Sequence, residues 1–72
     1  MTAKQIKVAA ILTSDLPDDA IVTLMEMGSE GCLLRIRSRE GQSPRLMIAR
    51  DGSVYPGRDN LDKWIEKHRD AL

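Results

Sequence analysis

The strongest pattern of apolar and polar positions lies near the C-terminal end of the chain. Apolar and aromatic residues recur there at i, i+3, i+4, i+7 and i+11, which is the spacing of one face of an α-helix. The opposite side is charged and is typical of a solvated face. We expect Asp59 or Asn60 to cap this helix and Trp64 to be its largest core residue. The apolar stripe consists of Leu61, Trp64, Ile65, His68 and Leu72.

The first residues of the chain fit two patterns. Thr2 and Gln5 have the spacing of a capping box, which predicts a helix that begins after Thr2. A strand is the alternative for residues 3–13, because apolar residues occupy every second position from 6 to 10. We favour the helix because of the cap. Its expected inner stripe is Ile6, Ala9, Ala10 and Thr13.

Short apolar runs between these two ends predict strands. They cover residues 20–27, 32–39, 45–50 and 53–55, and turns with Gly or Pro separate them. The Asp51-Gly52 dipeptide is a strong hairpin signal. The chain therefore predicts an α+β fold, in which a small antiparallel three- to four-stranded meander is flanked by an N-terminal and a C-terminal helix. At this length we expect residues 1–72 to form one small domain.

Alternation along the predicted strands assigns their side chains to two faces. The second strand carries arginine at every second position, and burial of unpaired arginines would be very costly. We therefore expect the arginine set to face water. The inner face is expected to contain Leu34, Ile36, Leu46 and Ile48, with Val22 and Leu24 from the first strand. The outer face is expected to contain Thr23, Met25, Leu33, Arg35, Arg37, Arg45 and Met47.

Charge is unevenly distributed along the chain, although its formal net charge is +0. Residues 32–58 carry six arginines, no lysine and two acidic residues, which gives six minus two, or +4. One explanation of the arginine face is structural: the outer face of a half-buried sheet must be polar, and the arginines would form surface ion pairs with Glu26 and Glu40. The exclusive use of arginine favours a function, because its planar fork of donors suits phosphate oxygens and guanine edges. The zero net charge argues against a nucleic-acid binder.

Two partners are compatible with this face, which we predict to be a binding site. One is an anionic partner such as nucleic acid. The other is a protein, because exposed methionine, leucine and arginine are typical of protein interfaces and the chain also has an acidic patch around Asp18. An inhibitor, an adaptor or a homodimer would fit that alternative. The candidate binding residues are Arg35, Arg37, Arg39, Arg45, Met25, Met47 and Leu33.

Catalytic and cofactor chemistry is not indicated by the sequence. His68 falls on the apolar helical stripe, and Cys32 has no second cysteine with which to form a disulfide or a zinc site. We expect no enzyme activity, cofactor or metal. A single cysteine suits a reducing, cytoplasmic setting, and we expect no signal peptide and no membrane span. The predicted function is thus a small non-enzymatic binding or regulatory protein.

Overall fold

Two helices flank one antiparallel sheet in the computed structural model, which describes residues 1–72. The predicted α+β fold is confirmed. Short 3-10 turns cover Gly28–Glu30 and Arg69–Ala71. The main elements are α1 (Ala3–Leu12), β1 (Ile21–Glu26), β2 (Cys32–Ser38), β3 (Gly41–Gln42), β4 (Leu46–Ile48), β5 (Val54–Tyr55) and α2 (Arg58–His68).

The sheet is built around β2, which pairs with three other strands. Its order is β1-β2-β4-β5, and β3 pairs with the end of β2 beyond β4. The expected meander is therefore present, with β3 added from the loop that links the second and third predicted strands. A two-residue strand gives no periodicity, so the alternation of residues did not reveal β3.

The capping box that predicts α1 is formed. The Thr2 hydroxyl accepts a hydrogen bond from the Gln5 backbone N–H at 3.2 Å, and Gln5 Oε1 accepts one from the Thr2 backbone N–H at 2.7 Å. Residues 3–12 are thus helical, and the alternative of a strand is excluded. Thr2 and Gln5 lie within one helical turn of each other, which is why the local sequence predicted this capping box.

The inner stripe of α1 differs from the expected one. Gln5, Ala9 and Leu12 are buried, whereas Ile6 is 53% exposed. The cause is a polar contact with the sheet: Gln5 Nε2 donates a hydrogen bond to the carbonyl oxygen of Ile48 at 2.9 Å. With its amide satisfied in this way, Gln5 can be buried at little cost, and this orients the helix.

Replacing Gln5 by alanine is expected to lower the free energy of unfolding by about 2 kcal/mol. The variant loses a buried side-chain hydrogen bond to Ile48 and half of the capping box, each worth roughly 1 kcal/mol. Urea unfolding followed by circular dichroism measures the loss. Lys4→Ala is the control, because Lys4 is an exposed neighbour on the same helix. Equal stability of the two variants would contradict the role given to Gln5.

The core lies between the helices and the inner face of β2 and β4. Leu34, Ile36, Leu46 and Ile48 are between 0% and 1% exposed, as the alternation predicted. The expectation that Val22 of β1 joins the core was wrong, because Val22 is 40% exposed. Leu24 is only partly buried and packs at the edge of the core. The helices therefore cover the centre of the sheet and leave β1 largely uncovered.

Helix α2 buries Leu61 and Ile65, in agreement with the predicted stripe. Its N-cap is Gly57, without a side-chain hydrogen bond, so the expected caps at Asp59 or Asn60 were wrong; both lie in the first turn of the helix. Trp64 is only half-buried and packs against the edge of the core, so the expectation that it is a core residue was wrong.

The aromatic contact in α2 joins Trp64 to His68. Their rings stack with centroids 4.4 Å apart, and His68 Nδ1 lies 3.0 Å from the Trp64 carbonyl oxygen. Both contacts join His68 to the preceding turn of the same helix. Neither helix has the length and apolar character that crossing a bilayer requires.

Gly31 lies where the chain enters β2. Its φ of +116° is in the region that L side chains rarely adopt, and a Cβ added there would lie 2.4 Å from the Ile48 carbonyl oxygen. The Gly31 carbonyl oxygen also accepts a hydrogen bond from the Met27 N–H at 2.8 Å. Only a glycine permits this close approach of two backbone segments.

Candidate sheet-face binding site

An apolar row crosses the outer face of the sheet. Met25 pairs with Leu33, Leu33 with Met47, and Met47 with Tyr55, so that four strands each place one side chain in the row. The Tyr55 hydroxyl donates a hydrogen bond to the carbonyl oxygen of Glu30. We call these four residues the apolar row. Met25 is 51% and Tyr55 42% exposed, so the row presents apolar surface to water at both of its ends.

Two arginines of β2 lie beside the apolar row. Arg35 is opposite Thr23 on β1, and Arg37 is opposite Gln42 on β3. Arg35 Nη1 donates a hydrogen bond to Gln42 Oε1 at 2.8 Å. The Nε of Arg35 is shielded from solvent and has no hydrogen-bond partner. The Gln42 contact thus fixes one end of the Arg35 guanidinium and leaves one of its buried donors unsatisfied.

No arginine of the protein has a carboxylate oxygen within 4.0 Å, so the expected ion pairs to Glu26 and Glu40 were wrong. Glu26 instead pairs with the N-terminal ammonium of Met1, which lowers the pKa of the Glu26 carboxyl. Glu40 lies 3.5 Å from His68 Nε2. The positive charges of Arg35 and Arg37 are therefore not neutralised by a neighbouring carboxylate.

Two of the four expected arginines lie outside the paired strands. β2 ends at Ser38, so the expectation that Arg39 lies on this strand in line with Arg35 and Arg37 was wrong. The Arg39 backbone N–H donates to Ala71 O at 3.0 Å, and its guanidinium donates to Asp70 O at 2.6 Å, which ties Arg39 to the C-terminal 3-10 turn. Arg45 is exposed in the loop directly before β4.

A shallow groove of about 240 Å³ runs between the apolar row and the arginines. It brings together four of the seven candidate binding residues, Met25, Leu33, Arg35 and Arg37. Met47 adjoins it through its pairing with Leu33. Sequence reasoning missed Gln42, because it predicted a loop there. It also missed that Tyr55 completes the apolar row, because a two-residue turn at Asp51-Gly52 would pair Tyr55 with Ile48, whereas the observed register pairs it with Met47.

Other reactive groups lie away from this face. Cys32 is 1% exposed on the inner face of β2, and no group of three or more His, Cys, Asp and Glu side chains is arranged as metal ligands. The groove thus remains the place where polar donors and apolar surface converge, which is typical of a binding site. Comparisons of the chain with protein-family models, with curated proteins and with solved structures find no match.

Proposed function

We propose that this chain is a non-enzymatic binding protein whose sheet face binds an anionic partner. One observation carries the proposal: Arg35 and Arg37 line the groove without a carboxylate beside them. A bound carboxylate or phosphate would supply acceptors for the guanidinium of the exposed Arg37 and for the N–H groups of Arg35 other than the shielded Nε. A single buried thiol at Cys32 fits a reducing, cytoplasmic setting for this activity.

An acidic protein segment that also carries apolar side chains is the favoured partner. Such a segment would place its carboxylates on the arginines and its apolar side chains on the row of Met25, Leu33, Met47 and Tyr55. Arginine and methionine are both enriched at protein interfaces. A phosphate backbone uses the arginines but leaves the apolar row uncovered, and only two arginines remain on β2. A regulatory or accessory role suits a binding protein of this size.

Binding to a synthetic peptide of alternating glutamate and leucine, followed by fluorescence anisotropy, tests this proposal. We expect the double variant Arg35→Gln/Arg37→Gln to bind roughly 100-fold more weakly or worse, because two charged hydrogen bonds together contribute about 3 kcal/mol or more. The matched control is Arg50→Gln/Arg69→Gln, which removes the same charge from exposed positions outside the groove. If both double variants lose the same amount of peptide affinity, the loss results from the change in net charge alone, which would contradict a specific site.

Nucleic acid is the second candidate, and it is favoured by the exclusive use of arginine over residues 32–58. The same titration with duplex DNA separates the two partners. A DNA complex should weaken steeply as salt rises, because bound arginines release counterions. Tight, salt-sensitive binding to DNA together with no binding to the peptide would assign the face to nucleic acid.

A further inference from the structure

Strand β1 has open surface on both of its faces. None of its residues is buried. Ile21 and Met25 are 57% and 51% exposed on the outer face, and Val22 is 40% exposed on the helix side. A six-residue strand with apolar side chains on both faces is unusual at the rim of a sheet in a monomeric protein. A partner that covers β1 must therefore offer apolar side chains on two faces.

The backbone of β1 is also open along one edge. The Met27 N–H donates a hydrogen bond to the Gly31 carbonyl oxygen. In the register that pairs β1 with β2, residues 27 and 31 are therefore directly opposite and hydrogen-bonded. Such pairs alternate along an antiparallel ladder. Ile21, Thr23 and Met25 therefore bond to β2, whereas the N–H and C=O groups of the alternate residues point to the open edge. These alternate residues are Val22, Leu24 and Glu26.

The devices that protect natural edge strands are missing from β1. It contains no lysine, arginine, proline or glycine, and its one charged residue is Glu26 at its end. The opposite edge of the sheet is protected differently: β5 has two residues and is followed directly by Pro56. The sheet is thus open to a further strand at β1 and closed to extended pairing at β5.

We propose that two copies of this protein pair through β1 to form a twofold-symmetric dimer with one continuous sheet. The twofold axis passes beside Thr23, so that the two Thr23 residues face each other. Ile21 of one copy then faces Met25 of the other, and Val22 faces Leu24. Every apolar side chain of β1 meets an apolar partner, and the open N–H and C=O groups of Val22 and Leu24 bond to each other across the axis.

Glu26 disfavours the alternative register, in which the axis passes beside Leu24. In that register Val22 of one copy would be opposite Glu26 of the other, which places a carboxylate beside an apolar side chain. With the axis at Thr23, Glu26 is opposite Ala20, beyond the end of the strand, and the apolar residues of β1 face one another.

The dimer has a defined shape and size. An axis perpendicular to the sheet keeps the outer faces of both copies on the same side, so both arginine grooves face the same way. Because β5 offers no long edge, pairing through β1 is isologous and closes at two copies. The dimer does not use the side chains of Arg35 and Arg37, although it places Ile21 of one copy beside Met25 of the apolar row of the other. Its formation is therefore measured by mass, in the absence of an anionic partner.

Sedimentation equilibrium of the whole chain tests this proposal. Wild type should have twice the chain mass of 8.1 kDa. Val22→Pro should dimerise at least tenfold more weakly, because it removes an outward N–H from each copy while leaving the bonds to β2 intact. Ile11→Lys is the control: Ile11 is 63% exposed on α1, away from the edge, and the variant should remain dimeric.

A charge exchange at the axis tests the register. Thr23→Lys should be monomeric, because two lysines would face each other across the axis beside Arg35, and an equimolar mixture with Thr23→Glu should recover the dimer mass. The two Thr23 variants also test pairing through β1 if Val22→Pro fails to fold, which circular dichroism would show. A wild-type chain that sediments at 8.1 kDa would overturn the proposal, as would a mixture of the two Thr23 variants that stays monomeric.

Discussion

Replacing Gly31 by alanine is expected to lower the free energy of unfolding by roughly 2–6 kcal/mol. The new Cβ would lie 2.4 Å from the Ile48 carbonyl oxygen, and the φ of +116° is strained for any residue with a Cβ. Backbone strain and overpacking each cost roughly 1–3 kcal/mol. A chain of this length has a free energy of unfolding of about 4–10 kcal/mol, so their sum removes much of its stability.

The matched control for this change is Gly28→Ala, in the 3-10 turn that precedes β2. Gly28 also has a positive φ, +63°, but a Cβ there would meet no atom within 4 Å. That backbone conformation costs an alanine only about 1–2 kcal/mol. Far-UV circular dichroism and urea unfolding compare the two variants. If Gly31→Ala is as stable as Gly28→Ala, the close approach to Ile48 does not constrain the fold.

Replacing Leu34 by alanine is the second change with a large expected effect. Leu34 is 0% exposed at the centre of β2, where the core meets the sheet. Such a substitution costs roughly 2–5 kcal/mol, because the side chain loses its burial and leaves a cavity. We expect the midpoint of urea unfolding to fall sharply, with a slope like that of wild type.

The adjacent residue provides the control for Leu34. Leu33 is the same residue type on the outer face and is only half-buried, so Leu33→Ala should cost clearly less than Leu34→Ala. Fluorescence of Trp64 and circular dichroism follow the two transitions. A larger loss for Leu33→Ala would mean that the two faces of β2 are exchanged, which would also move the arginines from the surface to the core.

Features that depend on neighbouring residues were predictable from the sequence. Thr2 and Gln5 close their capping box within one turn, and the alternation around Leu34 and Ile36 assigns the faces of β2. Both signals are local, so an isolated stretch of sequence contains them. The α+β fold and the exposed position of Arg37 followed from such signals.

Features that depend on distant contacts were not predictable. Gln5 is buried because the Ile48 carbonyl oxygen accepts its amide proton, and no pattern near Gln5 reveals that acceptor. Arg39 leaves the arginine face because the C-terminal turn binds its guanidinium and its backbone. Val22 has the sequence character of a core residue, and only the placement of the helices over β2 and β4 leaves it exposed.

The contact between Gln5 and Ile48 has a consequence for synthesis of the chain on the ribosome. It joins residues that are 43 positions apart, so α1 leaves the exit tunnel long before its acceptor does. The antiparallel pair of β1 and β2 spans a much shorter stretch, and local pairings form faster than distant ones. We therefore expect the nascent chain to form the β1–β2 hairpin first and to dock α1 only after Ile48 has emerged.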